Sequence, residues 1–264
     1  MNEGLVISTD EQRSMSWWKT RAGCITASYF HELRASSRLK SGPKKGQFNA
    51  KASYLAFKLA IERISGMVLE VDDGFIPWQA KRGIELEPHA RLQHELKYDI
   101  LVERAGFIKT EDGKFGASAD GFTERDGLRR GCEYKCYLSP EKLQDILLTG
   151  STEDVIDQCD GGMWITGLDA WDFGLYCPAL SSIGLDFVLT PILRNDDRIE
   201  ALETDLLQFD DLVEECVVRL KQRAGVNSLQ VSREAEYAER KEINRELAAT
   251  LPVKFVDIPE DPFA

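Results

Sequence analysis

The feature that most limits the fold is an alternation along the chain. Short runs of strand character stand between longer stretches of helical spacing. Strand runs are expected at 98–109, 115–119, 132–138, 171–176 and 185–193, where β-branched and aromatic residues are concentrated. Helices are expected at 26–34, with Thr26 as N-cap, and at 49–64, where Tyr54, Phe57, Leu59, Ile61 and Ile64 recur at helical spacing. Further helices are expected at 78–97 with an interruption at Pro88, at 139–148, at 153–166 and at 196–223. The last has one apolar stripe of Ile199, Leu202, Leu206, Phe209, Val213, Val217 and Leu220. Strands interleaved with helices predict an α/β chain: a mixed β-sheet flanked by helices on both faces.

Composition narrows the class. An apolar fraction of 43% with 30% charged residues suits a folded core and excludes wholesale disorder. No apolar run approaches the roughly 18 residues that would span a membrane. The first residues show no basic region leading into an apolar one, so a signal peptide is not expected and a cytoplasmic location is. Cys24, Cys132, Cys136, Cys159, Cys177 and Cys216 are scattered, as reduced and mostly buried thiols would be. An iron–sulfur or zinc site is not indicated by that spacing.

Net charge is −12, which taken alone argues against nucleic acid. The charge is unevenly spread. Residues 1–58 carry +6, residues 59–191 carry −11 and residues 192–264 carry −7. Between residues 13 and 58, Glu32 is the single acid. The stretch 36–46 is basic, carries Gly, Pro and Ser, and lacks periodicity, so it is expected as a mobile loop at the surface or against phosphate. Beyond Gly225, the segment 232–249 is rich in Glu, Arg and Ala with little apolar surface. A division into a domain at 1–224 and a helical arm and tail at 225–264 is expected.

Chemistry concentrates in one region. Asp120 ends the run Phe115-Gly-Ala-Ser-Ala-Asp120, and Glu133-Tyr-Lys135 follows thirteen residues later. On a strand, Glu133 and Lys135 project to one face, and Asp120 from a neighbouring hairpin strand can meet them there. Two carboxylates, with the backbone carbonyl of Tyr134 between them, suit the Mg²⁺ habit of few protein ligands plus water and phosphate oxygens. The lysine is placed to hold and deprotonate an attacking water. Such a site hydrolyses phosphodiesters by Lewis-acid stabilisation of charge. The pattern alone is common on exposed strands, so the rest of the chain decides.

Five motifs in order then resemble the lambda exonuclease, or YqaJ-type viral recombinase, branch of the PD-(D/E)xK nucleases. They are Trp18-Lys-Thr-Arg21-Ala-Gly-Cys-Ile-Thr26-Ala-Ser28, then Ser53-Tyr54 with Gly66, then Gly83-Ile-Glu-Leu-Glu87-Pro-His-Ala90-Arg. Ser118-Ala-Asp120-Gly with Glu133-Tyr-Lys135-Cys forms the core, and Gln158 precedes Met163-Trp-Ile-Thr166. The resemblance implies that Asp120 and Glu133 bind Mg²⁺, with Mn²⁺ as substitute, and that Glu87 joins them, directly or through water. It implies that Lys135 activates the water with help from Gln158. Arg21, Ser28 and Ser118 match positions used near a terminal 5′-phosphate, and a guanidinium with hydroxyl donors suits that group. Glu85 competes with Glu87, but only Glu87 stands four residues after Gly83. His31, His89 and His94 are read as non-catalytic. One departure is that the position of a second family arginine falls near Glu141, beside Lys142. Another is an extra charged turn at 124–130.

The resemblance implies an Mg²⁺-dependent 5′→3′ exonuclease on double-stranded DNA ends, leaving 3′ single strands for annealing. It implies a ring-shaped homotrimer and a phage single-strand annealing protein as partner. The alternatives are an endonuclease or repair nuclease on the same core, and a non-catalytic DNA-binding assembly module.

Overall fold

The computed structural model describes residues 6–8, 12, 14–69 and 78–225. The chain divides into two units, Met1–Val217 and Val218–Ala264, and the fold below is that of the first. The arm and tail expected over 225–264 lie outside the described residues apart from Gly225.

Elements follow in the order β1 (Val6–Ile7), α1 (Met15–Arg21), β2 (Ile25–Thr26), α2 (Ala27–Ala35), α3 (Ala50–Ser65) and α4 (Trp78–Tyr98). Next come β3 (Ile108–Lys109), β4 (Phe115–Ala117), β5 (Gly121–Arg125), β6 (Leu128–Lys135), α5 (Pro140–Gln144) and α6 (Glu153–Thr166). The series closes with β7 (Ala170–Tyr176), β8 (Phe187–Leu193) and α7 (Asp196–Arg223). The strands form two four-stranded sheets, ordered β1-β3-β4-β2 and β5-β6-β7-β8. In the second sheet β6 pairs parallel with β7 and antiparallel with β5, so the sheet is mixed. The expected α/β class with helices against mixed sheets is what the chain adopts.

Helix α6 lies between its neighbours because two glycines let it. A Cβ added to Gly161 would stand 2.4 Å from the Phe30 ring of α2, and one on Gly162 would stand 2.4 Å from Trp171 of β7. Side chains there would push the helix off both surfaces. The apolar stripe of α7 is buried from Ile199 to Val217 as its spacing required.

Several expectations are corrected. Helix α4 runs through Pro88 without ending. A proline inside a helix costs about 3 kcal/mol, and the helix continues past it with Ala90 and His94 fully buried against the sheet. The strand expected at 98–109 shrinks to β3. Asp99 adopts φ 52, which ends α4, and the amide of Ile100 closes back on the Glu95 carbonyl at 3.2 Å. The turn expected at 124–130 is a hairpin between β5 and β6, reversed at Asp126 (φ 55) and Gly127 (φ 74). On α3 the large residues Tyr54, Phe57 and Ile64 face outward, and the small Ala52, Ala56 and Ala60 with Leu59 face in. The helix at 139–148 is α5 followed by a π-helical turn, Asp145–Thr149. The basic stretch expected as a mobile loop is an exposed hairpin. Its backbone closes by Leu39 N–H to Gln47 O and Gly46 N–H to Leu39 O, both 2.9 Å, and Arg38 lies over the Phe48 ring.

One charged cluster is built into the second sheet. Asp172 on β7 is fully buried and accepts from Arg125 Nη2 at 2.7 Å, Arg125 Nε at 3.2 Å and Arg130 Nη1 at 3.3 Å. The β5–β6 hairpin is thereby tied across the sheet. Asp172→Asn should cost about 3–5 kcal/mol, because two largely buried guanidinium groups lose their counter-charge. Lys142→Ala, which breaks the half-exposed pair with Asp154, should cost no more than about 1 kcal/mol. Urea denaturation of both variants measures the difference. Equal costs would mean that the buried cluster does not hold the hairpin.

Candidate active site

The site grows from the register of two strands. Gly121 of β5 stands opposite Cys132 of β6, and the Asp120 amide donates to the Cys132 carbonyl at 2.9 Å. This sets Asp120 beside Tyr134, whose main-chain N–H donates to Asp120 Oδ2 at 2.6 Å. Two positions along the same strand as Glu133 stands Lys135, on the same face. Its Nζ donates to Glu133 Oε1 at 2.6 Å and to Gln158 Oε1 of α6 at 3.0 Å. Glu133 is buried, at 4% exposure. Glu87 projects from α4 and accepts from Arg91 Nη2 at 2.8 Å, one turn along. Asp120, Glu133, Lys135 and Gln158 therefore meet, and Glu87 approaches them from the helix.

Electrostatics follow from this packing. Burial, and then the charges of Glu133 and Glu87, hold the Asp120 carboxyl well above the usual carboxylate range. The Tyr134 amide and Lys135 pull it back. For Lys135, burial disfavours the charge, but the Glu133 carboxylate reverses this and raises its pKa above the ordinary lysine value. A cation that took over Glu133 would remove that cause. Three carboxylates face two paired cations, Lys135 and Arg91, so an added cation that let Asp120 ionise would meet one surplus negative charge.

That donor set fits a hard divalent cation: it is oxygen-based and carries surplus negative charge. Among the described residues no three His, Cys, Asp or Glu side chains close around an ion. Asp120 and Glu133 are then a two-carboxylate pair of the kind that holds Mg²⁺ with water and phosphate oxygens. All six cysteines are free thiols, and Cys132 is buried behind the strand.

Of the three residues matched to an end phosphate, Arg21 and Ser28 meet. Arg21 Nη2 lies 3.1 Å from Thr26 Oγ1 and 3.3 Å from Ser28 Oγ, and the two hydroxyls are 3.0 Å apart. The guanidinium stacks on Trp17 and Trp18, 4.7 and 5.7 Å from their ring centres. Strands β2 and β4 run parallel with Thr26 opposite Gly116; Ser28 opens α2 just beyond β2, and Ser118 follows the end of β4. The Ser118 hydroxyl is buried without a hydrogen-bond partner among the described residues. Ser118 is two residues from Asp120, within about 7 Å along the chain, so its hydroxyl lies near the carboxylates. Thr26 was expected only as a helix cap. It holds the N-cap position of α2, but its hydroxyl serves Arg21 and Ser28 instead of the helix. The pairing of Arg91 with Glu87 was legible in their four-residue spacing.

Near the departures, Lys142 donates to Asp154 at 2.7 Å and lies over the Tyr137 ring, and Glu141 is exposed. His31 pairs with Asp157 at 3.1 Å, beside Gln158 but away from the carboxylates. His89 is exposed. His94 is fully buried, and burial first of all lowers its pKa to about 4, leaving a neutral ring.

Among solved structures, the chain is similar to the alkaline exonuclease of Laribacter hongkongensis. Identity is 26% over 80% of this chain and 98% of that one, with a TM-score of 0.65. The same enzyme in complex with dAMP matches equally well. A phage-related exonuclease from Haemophilus somnus 129PT shares the fold at 12% identity, over 75% of this chain and 96% of that one, with a TM-score of 0.56. No curated protein sequence matches. Residues 16–169 match the YqaJ-like viral recombinase domain, and with these five motifs in place the chain belongs to that family.

Proposed function

We propose that the chain is a metal-dependent DNA exonuclease that digests one strand of a duplex from its end in the 5′→3′ direction, leaving 3′ single strands for annealing. The observation that carries this reading is the contact of Lys135 with both Glu133 and Gln158, with Asp120 fixed alongside by the Tyr134 amide. A strand face of that composition has no packing reason to be half-buried. It has a chemical reason, because a scissile phosphate needs charge stabilisation and an oriented water in a place of low dielectric.

Roles follow from position. Asp120 and Glu133 hold Mg²⁺, or Mn²⁺ in its place, with the Tyr134 carbonyl and water completing the set and Glu87 contributing from α4. When bound, the cation supplies Lewis-acid stabilisation of charge on the phosphate. Lys135 orients the attacking water and, as the free amine, takes its proton, and Gln158 fixes the lysine. Arg21, Ser28 and Ser118 bind the terminal 5′-phosphate, and the orphaned Ser118 hydroxyl finds its partner there. The basic hairpin at 39–47 meets the duplex backbone.

The family resemblance extends the proposal to a ring-shaped homotrimer and to a phage single-strand annealing protein as partner. No helix among the described residues is long and apolar enough to cross a membrane. The bacterial cytoplasm is the proposed location. We place the catalytic domain at 1–224, with 225–264 as an appended arm.

Asp120→Asn and Lys135→Ala should each slow digestion of linear duplex at least about a hundredfold while thermal melting stays near that of the parent. Full activity in either would remove the assigned site. Chelation of divalent ions should stop the reaction, and either Mg²⁺ or Mn²⁺ should restore it. Activity that survives chelation would contradict the metal reading. Replacing the 5′-phosphate by hydroxyl should slow the parent, and Arg21→Ala should abolish that preference. An unchanged preference in Arg21→Ala would exclude the Arg21 group as the end site.

A further inference from the structure

The interior beside the site holds a polar pair that packing does not require. His94 and Tyr134 share a hydrogen bond of 2.9 Å between Nδ1 and the phenol oxygen, and both side chains are buried. A pair of phenylalanines would fill the same space without two polar groups to satisfy. The Asp172 carboxylate stands 3.7 Å from His94 Nε2, too far for a hydrogen bond but close enough to favour the proton on that nitrogen. Nδ1 and the Tyr134 hydroxyl share this bond, with donor and acceptor set by the ring tautomer, and the Cys132 thiol also lies against that hydroxyl.

The pair joins two elements that each carry a carboxylate of the site. Glu87, Arg91 and His94 stand at i, i+4 and i+7 on α4, so they share one face. Tyr134 lies between Glu133 and Lys135 on β6, and its amide holds Asp120. One residue therefore reaches Asp120 through its main chain and α4 through its side chain. His94 also stacks on Phe187 of β8, with ring centres 5.6 Å apart, and Lys97 one turn on donates to the Phe187 carbonyl at 2.9 Å. The C-terminal half of α4 is thus fastened to the sheet, while Glu87 projects from the part before Pro88. The His94–Tyr134 bond is a direct polar contact between the α4 face that bears Glu87 and β6.

We propose that His94 and Tyr134 form a positioning clamp that fixes the reach of Glu87 toward Asp120 and Glu133, and so sets the affinity of the site for a divalent cation. The inference deepens the reading of this site as a metal centre and rests on it. His94 touches no reacting atom. It is a positioning residue, and it acts through Tyr134 and α4. Outer groups that orient the ligands of a metal commonly govern its affinity by ten- to a hundredfold.

The test is a titration of the full chain with Mn²⁺, without DNA, following free Mn²⁺ by its electron paramagnetic resonance. Tyr134→Phe and His94→Phe should each weaken binding about tenfold, with melting temperatures within a few degrees of the parent. Neither should weaken it further in a Glu87→Gln background, because the clamp works through Glu87. Parental affinity in the single variants would overturn the clamp, and so would an undiminished effect in the Glu87→Gln background. Asp120→Asn separates the two levels. If it binds Mn²⁺ like the parent, the metal reading fails and the clamp with it. If it loses binding while the clamp variants keep theirs, only the clamp fails. Should Tyr134→Phe unfold, His94→Gln replaces it. That variant keeps a hydrogen-bonding partner for the Tyr134 hydroxyl and should hold Mn²⁺ near the parental level, and a tenfold loss would count against the clamp.

Discussion

Two carboxylates confined beside one another inside a protein repel, and this repulsion organises the molecule around the site. Asp120 and Glu133 are brought together by the β5–β6 register, which no side-chain preference of theirs would favour. Their proximity is tolerated because donors are aimed at both: the Tyr134 amide at Asp120 and the Lys135 ammonium at Glu133. Each donor is in turn fixed. Gln158 restrains Lys135 from α6, and α6 is wedged between Phe30 and Trp171 at Gly161 and Gly162. Asp157 and Asp160 on the same helix are gripped by Arg34 at 2.6 Å and by Arg198 at 2.8 Å, so the helix bearing Gln158 is anchored on both sides of it. The hairpin that begins at Asp120 is tied down through Arg125, Arg130 and Asp172.

The negative net charge reads differently in this light. Several acids do structural work in pairs: Asp157 with Arg34, Asp160 with Arg198 and Asp172 with two arginines in the central block, and Asp210 with Arg63 and Lys114 in the C-terminal one. Others are the carboxylates that a cation would neutralise. The basic N-terminal block keeps Arg21 and its hydroxyl neighbours together, and it presents Lys40, Lys44 and Lys45 on an exposed hairpin. An acidic average and a basic N-terminal surface are compatible because the charges occupy different parts of the chain.

Much of the fold was legible where a pattern is local. The helices at 153–166 and 196–223 have the bounds their spacing indicates, since apolar residues recur every turn and capping residues mark the ends. The outward face of α3 was not legible. Spacing shows that Tyr54, Phe57 and Ile64 share a side, but which side meets the core depends on neighbours far along the chain. The end of α4 was hidden because Asp99 takes a positive φ that its residue type does not announce, and Pro88 pointed to a break that α4 does not make. The meeting of Asp120, Glu133, Lys135 and Gln158 was readable from motif order. The links that hold them were not. Thr26 beneath Arg21, Asp172 behind the hairpin and His94 against Tyr134 join residues many positions apart and leave no spacing signal.

The most direct measurement is digestion of a linear duplex carrying distinct labels at its 5′ and 3′ ends, run beside a covalently closed circle, with Mg²⁺ and with chelator. The proposed site predicts that the 5′ label is released first as mononucleotide, that the 3′-labelled strand survives as a long single strand, and that the circle stays intact. Both labels should be retained under chelation. Cleavage of the circle, or release of the 3′ label first, would contradict an end-anchored 5′→3′ exonuclease.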